Sequence, residues 1–275
     1  EIISQGQGAT ISSEGVARPQ FFLMPFEEPR DAIRGYRIVW EPFGPGSATG
    51  EFPGATGAGW RSAWQVDAFP HGKPEQQADV TNRQPLHPGA ECYLELTTEM
   101  PAGQAASRLR VWRAYGSVDA YSVDNPYTIE CLVRIQSNPA CMDSFEVAGF
   151  AGMSSAADAQ PQWSLRAASV NASGNLQWML GSDPTVSSEN AGANRVQLPL
   201  GWWEPWRVCV TVDPPNSRWR FVLASPHQSW ASGWKALAVG RGLSGDTREI
   251  VVTARGDSPY RLCFAIDEVK IRNLP

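Results

Sequence analysis

The C-terminal segment Arg261-Leu-Cys-Phe-Ala-Ile-Asp-Glu-Val-Lys-Ile-Arg272 places the strongest constraint on the fold. Its apolar side chains alternate with polar or small ones as far as Ile266, and they resume one step out of phase at Val269 and Ile271. An alternation with a period of two predicts a half-buried β-strand. A strand this late in the sequence joins sheets that earlier residues have formed, so we expect it to complete them.

Two adjacent carboxylates, Asp267 and Glu268, interrupt this apolar strand. Burying an unpaired carboxylate is costly, so the pair needs an arginine, a set of backbone donors or a cation beside it.

The rest of the chain consists of short alternating segments separated by turn residues, with 25 glycines and 22 prolines spread along its length. No long amphipathic helix is evident. We therefore predict an all-β fold, an antiparallel β-sandwich. The predicted strands are Tyr36–Phe43, Glu91–Thr97, Ser107–Tyr115, Tyr127–Ile135, Ser144–Phe150, Gln162–Val170, Asn175–Leu180, Trp206–Val212, Arg218–Leu223, Glu249–Ala254 and the C-terminal segment.

The predicted domain covers residues 36–275. Residues 1–35 are polar and rich in glycine and serine near their start, and we expect them to form an N-terminal arm or the end of a preceding domain. Residues 70–90 contain four prolines and are predicted to be a surface connection.

Composition excludes two classes of partner. A net charge of -5 and a pI near 5.3 argue against nucleic acid, which favours basic surfaces. No apolar run approaches the ~18 residues of a membrane span, so we expect no membrane insertion. Three of the five cysteines, Cys131, Cys209 and Cys263, lie in predicted strands as small apolar residues, and a bridge from Cys131 to Cys141 stays open.

Four motifs carry a family resemblance in their order along the chain. They are Trp40-Glu-Pro-Phe-Gly44, Gly57-Ala-Gly-Trp-Arg-Ser-Ala-Trp64, Pro126-Tyr-Thr-Ile-Glu-Cys-Leu-Val-Arg134 and Phe264-Ala-Ile-Asp-Glu-Val-Lys-Ile271. Together they resemble the laminin-G-like, concanavalin A-like jelly-roll domains of secreted bacterial proteins. The resemblance implies a jelly roll of two curved sheets and a secreted or cell-envelope, extracytoplasmic location. Lectins, adhesion modules, glycosidases and polysaccharide lyases share this fold, so function has to be argued from the site.

Catalytic motifs of that superfamily are absent. A retaining glycosidase would resemble Glu-x-Asp-x-x-Glu, but Asp143 and Glu146 have the wrong spacing, and neighbours such as Asp267 and Glu268 are expected to point to opposite faces of a regular strand. The three histidines lie in loops beside proline or glycine. We therefore expect a binding or adhesion module without catalytic activity, the alternatives being a polysaccharide lyase or glycoside hydrolase and an adhesion module that binds no small ligand.

Tryptophans outside the predicted strands are the candidate carbohydrate-binding residues. Trp230 and Trp234 lie in a polar loop, and Trp203 precedes Glu204-Pro205. An aromatic ring in such a loop either stacks on a sugar or folds back over the edge of the sandwich. The strand tryptophans, Trp163, Trp178, Trp206 and Trp219, are predicted core residues. The expected partner is a polysaccharide or a cell-surface glycan.

The resemblance also implies a structural calcium ion. Its ligands would be Asp267 and an oxygen near Glu41, with carbonyl groups completing the six to eight oxygens that calcium takes. The alternative for Asp267 is a salt bridge to Arg37, Arg134 or Arg272.

Overall fold

The computed structural model describes residues 37–41, 43, 50–51, 58–69, 77–88, 92–99, 107–117, 122–136, 144–151, 161–169, 176–181, 195–196, 204–238, 246–256 and 261–274. The predictions for residues 1–35, for Trp203 and for Cys141 lie outside these residues.

The described residues form seventeen β-strands and one 3-10 helix, Pro214–Asn216. In chain order the strands are β1 Arg37–Glu41, β2 Gly50–Glu51, β3 Gln65–Phe69, β4 Gln77–Thr81, β5 Tyr93–Thr98, β6 Ser107–Gly116, β7 Tyr127–Ile135, β8 Ser144–Ala151, β9 Trp163–Ser169, β10 Leu176–Gly181, β11 Arg195–Val196, β12 Trp206–Asp213, β13 Arg218–Ala224, β14 Ser229–Ala231, β15 Lys235–Ala236, β16 Thr247–Gly256 and β17 Leu262–Asn273.

Two antiparallel sheets contain all of these strands. The ten-stranded sheet has the order β14-β13-β12-β7-β17-β5-β4-β2, with β1 paired to β17 and β15 paired to β13. The seven-stranded sheet has the order β11-β10-β9-β8-β16-β6-β3. The predicted all-β, antiparallel sandwich is confirmed. No helix in the described part of the chain is long and apolar enough to cross a membrane.

The last two strands close both sheets. Strand β17 lies between β5 and β7 in one sheet, and β16 lies between β6 and β8 in the other. The chain thus alternates between the sheets from β5 to β6 to β7. Its last two strands each fill the gap between two strands that have other neighbours, which is the connectivity of a jelly roll. The C-terminal segment therefore completes the fold as predicted.

The phase step in β17 is a β-bulge. Asp267 lies opposite Leu132, and Lys270 lies opposite Glu130, so β17 has one residue more than β7 over this interval. Glu268 takes a left-handed conformation there, with φ of 51°. The extra residue returns Val269 to the core face.

The core lies between the two sheets, where alternate side chains of each strand meet. Its largest fully buried residues are aromatic, and they include Trp163, Trp206 and Trp219 as predicted. Cys131 is a buried free thiol.

Two predicted loop regions contain strands. Gln77–Thr81 pairs with β5 inside the predicted surface connection, and Ser229–Ala231 pairs with β13 inside the predicted polar loop. Both segments are short and contain few large apolar residues, so the sequence offers little alternation by which to recognise them.

Candidate functional site

The outer face of β13 exposes every second residue. Arg220 and Val222 are exposed and Arg218 is half-buried, whereas Trp219, Phe221 and the other alternate residues face the core. Antiparallel pairing places Arg220 opposite Thr211 and Val222 opposite Cys209 on β12. This alternation puts two arginines and one exposed apolar side chain side by side on the surface.

Trp234 covers the end of this face. Its side chain is 41% exposed, and the guanidinium carbons of Arg218 and Arg220 lie 4.2 Å and 4.7 Å from the centre of its ring. Both distances are within the range of cation–π attraction, which holds the exposed ring against the sheet. We call Arg207, Arg218, Arg220, Val222 and Trp234 the Trp234 surface.

Trp230 does not share this surface. Its ring lies 5.0 Å from the ring of Phe221, and it packs partly buried against the core. Its register partner Leu223 is also a core residue. Trp230 therefore folds back over the sandwich edge while Trp234 faces outward, so the two rings do not form one stacking platform.

One arginine of the Trp234 surface is held by a carboxylate. The Nε atom of Arg218 donates to Oδ2 of Asp213 at 2.7 Å, and the side-chain amide of Asn216 donates to the same carboxylate. Burial acts to raise the pKa of Asp213, but the hydrogen bonds from Arg218 and Asn216 outweigh it and lower the pKa below its ordinary value. Arg218 is thus fixed in place beneath Trp234.

The bulge in β17 creates a second polar cluster, on the outer face of the ten-stranded sheet. Oδ1 of Asp267 accepts the backbone N–H of Glu268 at 2.7 Å, and Oδ2 lies 3.8 Å from Nε2 of His87. His87 Nε2 is also 3.5 Å from Glu268 Oε1, and Lys270 donates to Glu268 Oε2 at 2.8 Å. Four titratable groups therefore meet around the bulge.

The segment 82–88 lies across this cluster. The guanidinium of Arg134 donates to the carbonyl of Pro85 at 3.2 Å and to that of Gln84. Leu86 completes a small apolar cluster on the outer face of the sheet with Tyr93, Leu132 and Ala265. These contacts hold His87 over the two carboxylates. In the sequence His87 is only a loop residue, because its partners are about 180 residues away.

Burial and hydrogen bonding shift the pKa values in this cluster. Burial raises the pKa of the Asp267 carboxyl to about 8. The interaction with Glu268 raises the pKa of His87 above its ordinary value, although burial opposes this. Burial would raise the pKa of Glu268 as well, but His87 and Lys270 lower it below its ordinary value.

Glu41 and Asp267 are not brought together. Glu41 is buried on the core side, where its carboxylate accepts from Arg113 Nη1 at 2.5 Å and from Trp64 Nε1 at 3.2 Å. Asp267 faces His87 on the other side of the sheet. Among the described side chains the ion-pair partner of Asp267 is His87, not the predicted Arg134 or Arg272, and the side chain of Arg37 lies outside them.

The residues around Asp267 do not fit calcium. Calcium takes six to eight oxygen ligands, whereas the groups facing Asp267 and Glu268 are an imidazole and the ammonium of Lys270. Within the described ranges no cluster of three or more His, Cys, Asp or Glu side chains could hold a metal ion.

Sequence analysis missed a third cluster, on the outer face of the seven-stranded sheet. The guanidinium of Arg110 lies 5.4 Å from the ring centre of Trp112 and 5.5 Å from that of Phe150. Burial raises the pKa of nearby Glu146 above its ordinary value. The alternation of Arg108, Arg110 and Trp112 on β6 was the available signal for this face.

This third face does not assemble a glycosidase pair from its two glutamates. Glu146 lies opposite Thr253 and Glu249 lies opposite Phe150, so the two carboxylates start four residues apart along paired strands. At 3.3–3.4 Å per residue their Cα atoms are about 13 Å apart, and side chains stand roughly perpendicular to a sheet, whereas glycosidase carboxylates lie ~5–9.5 Å apart.

No protein-family model and no curated protein matches the chain. Similar solved structures include peanut lectin with a nine-residue peptide, at 13% identity and a TM-score of 0.48, covering 78% of this chain and 99% of that one. The lectin of Bauhinia forficata in complex with GalNAc has 10% identity and a TM-score of 0.47, covering 76% and 97%. Lectin UEA-II complexed with galactose has 9% identity and a TM-score of 0.46, covering 76% and 93%. At these scores, function has to be argued from the residues of this chain.

Proposed function

We propose that the chain is an extracytoplasmic carbohydrate-binding module whose sugar-contacting surface is centred on Trp234. The observation that carries this proposal is the 41% exposed indole ring, held in place by Arg218 and Arg220. A rigid exposed aromatic ring beside hydrogen-bond donors offers an apolar face for a sugar ring and polar groups for its hydroxyls.

The surface is also more apolar than its surroundings. Val222 and Trp234 are two of the four exposed large hydrophobic residues in the described part of the chain. Exposed apolar groups that are rimmed by polar ones are typical of binding surfaces.

The laminin-G-like resemblance of the opening and closing motifs and the secreted or cell-envelope location remain part of this proposal. They rest on the residues of Trp40–Gly44 and Phe264–Ile271. A polysaccharide or a cell-surface glycan is the partner we propose.

A glycan array probed with the parent protein and with Trp234→Ala tests the proposal. We expect the variant to lose binding while its melting temperature falls by only about 1–4 °C, because an exposed cation–π contact contributes about 0.5–1 kcal/mol. Phe69→Ala is the matched control, since Phe69 is 47% exposed on β3 of the other sheet. Equal array binding by the parent and Trp234→Ala would refute the assignment of this surface.

A further inference from the structure

The Trp234 surface brings three arginines together on one face, with Asp213 and Glu130 as the neighbouring carboxylates. Arg207, Arg218 and Arg220 face outward on the neighbouring strands β12 and β13. Asp213 pairs with Arg218, whereas no described carboxylate oxygen lies within 4.0 Å of the Arg220 guanidinium. Arg220 is exposed and held by Trp234, so its donors face solvent.

Cys209 lies in the middle of this face, opposite Val222 on β13 and Glu130 on β7. Burial raises its pKa to about 12, and Glu130 contributes in the same direction. Arg207, Arg220 and Arg272 all act against this rise, which places three guanidinium charges within interacting range of one thiol.

This positive surface contrasts with the protein as a whole. The chain has a net charge of -5 and a pI near 5.3, so overall it repels polyanions. A cluster of arginines beside an exposed tryptophan therefore indicates local recognition of negative charge. Nucleic acid is the less favoured polyanion, because domains that bind it have basic faces and a pI above about 9.

The spacing of the arginines indicates an extended ligand. Arg218 and Arg220 are two residues apart on β13, about 7 Å along the strand. Arg207 lies opposite Ala224, four residues or about 13 Å beyond Arg220. A single sugar unit cannot reach both ends of this row of arginines, whereas a chain of sugar units can follow the row along β13 to Arg207 on β12.

We propose that the ligand of the Trp234 surface is an acidic polysaccharide, with a sugar ring against Trp234 and its carboxylate or sulfate groups on Arg220 and Arg207. This inference rests on the proposed carbohydrate-binding function and adds the class of ligand. A guanidinium binds a carboxylate or sulfate through two parallel N–H donors, and such charge-assisted bonds are about twice as strong as neutral ones.

The test uses pairs of polysaccharides that share a backbone and differ in charge. Polygalacturonate is compared with its fully methyl-esterified form for carboxylate, and dextran sulfate is compared with dextran for sulfate. Binding is measured by titration calorimetry for the parent, Arg220→Gln, Arg207→Gln and Trp234→Ala. Arg261→Gln is the charge-matched control, because Arg261 is exposed at the start of β17, outside this surface.

We expect at least one acidic polysaccharide to bind at least about tenfold more tightly than its neutral counterpart. Arg220→Gln should weaken that binding by about tenfold and Arg207→Gln by a similar or smaller factor, while Arg261→Gln should match the parent. Raising sodium chloride from about 50 mM to about 500 mM should weaken binding of the acidic polysaccharide and leave binding of the neutral one unchanged. The pair of polysaccharides that shows this difference identifies the recognised anionic group as carboxylate or sulfate.

The two proposals fail differently. Equal binding of acidic and neutral forms, abolished by Trp234→Ala, would overturn the acidic ligand and leave the carbohydrate-binding function standing. Absence of binding to all four polysaccharides would overturn both. Tighter binding to a single-stranded oligonucleotide or to phosphatidylserine vesicles than to any polysaccharide would also overturn the acidic-glycan assignment. Melting curves of each variant confirm that the loss of binding does not reflect unfolding.

Discussion

His87 and Asp267 face each other across the outer surface of the ten-stranded sheet, with Nε2 of His87 3.8 Å from Oδ2 of Asp267. The Nδ1 atom of His87 lies 3.0 Å from the carbonyl of Pro88, which makes Nδ1 the protonated atom of the neutral ring. The Nε2 lone pair would then meet two carboxylates. A proton on either Nε2 or Asp267 Oδ2 relieves this repulsion, so the pair holds a proton over a wide pH range.

This shared proton makes stability depend on pH. The pKa of Asp267 rises to about 8 on folding and that of His87 rises above its ordinary value, so the folded chain binds more protons than the unfolded chain. Stability should therefore fall as pH rises from about 5 to about 8.5. The lowered pKa of Glu268 acts in the opposite direction, but only below its ordinary range. Chemical denaturation at several pH values measures the slope.

Asp267→Asn should flatten that slope. Its side-chain oxygen can still accept the Glu268 N–H, and its amide can donate to neutral His87 without titrating. We expect the variant to exceed the parent in free energy of unfolding at about pH 8.5 but not at about pH 5. Parallel pH profiles of parent and variant would show that the proton is not shared at this pair.

Calcium should leave stability unchanged. The groups that face Asp267 and Glu268 include the Lys270 ammonium, which already balances a carboxylate. Melting curves in millimolar calcium and in chelator should coincide. Calcium bound at a hundredfold excess over Kd would instead add about 2.7 kcal/mol to the free energy of unfolding. A rise in melting temperature that Asp267→Asn abolishes would show that Asp267 binds calcium.

The buried pair of Glu41 and Arg113 should be strongly coupled. Both side chains are at most 4% exposed and their atoms are 2.5 Å apart. Removing one partner leaves a buried charge, so Glu41→Gln and Arg113→Met should each cost about 3 kcal/mol or more in free energy of unfolding. The double variant should cost at least about 1 kcal/mol less than the sum of the two. Additive losses, measured by urea denaturation, would mean that the ion pair is not the relevant interaction.

Trp230→Ala should behave as a core substitution. Its ring packs on Phe221 at the margin of the core, so its loss should cost about 2 kcal/mol and lower the melting temperature by about 4–8 °C. Glycan binding by the folded variant should persist, in contrast to Trp234→Ala. A stable Trp230→Ala variant that no longer binds glycan would place Trp230 in the ligand site.

The chain should not turn over polysaccharides. The Cα atoms of Glu146 and Glu249 are about 13 Å apart along paired strands, farther than the carboxylates of a glycosidase pair. Incubation with a broad panel should release no reducing ends and no unsaturated uronates. Either product, if it is lost in Glu146→Gln, would identify an enzyme and refute this expectation.

Most of the fold could be predicted from the sequence because a strand with one apolar and one polar face has a local signature, an alternation with a period of two. Tyr127–Ile135 was predicted with the bounds that the structure shows, and the phase step after Ile266 marked the bulge. The periodicity of two survives in Tyr127–Ile135 although nearly all of its residues are buried, because the face away from the core carries polar residues such as Glu130 and Arg134. It weakens at Gln77–Thr81 and Ser229–Ala231, which are short and contain few large apolar residues.

The sites depended on tertiary structure. The sequence marked Trp230 and Trp234 equally, since both lie in one polar segment, and only packing turned one ring inward and the other outward. The sequence also showed that Asp267 needs a partner, because a buried carboxylate cannot stay unbalanced. Which partner it has was decided by the segment 82–88 crossing the sheet, which brings His87 over a residue 180 positions later. Contacts between distant residues leave no periodicity behind, so the sequence alone determined the sandwich while the folded chain determined its charged surfaces.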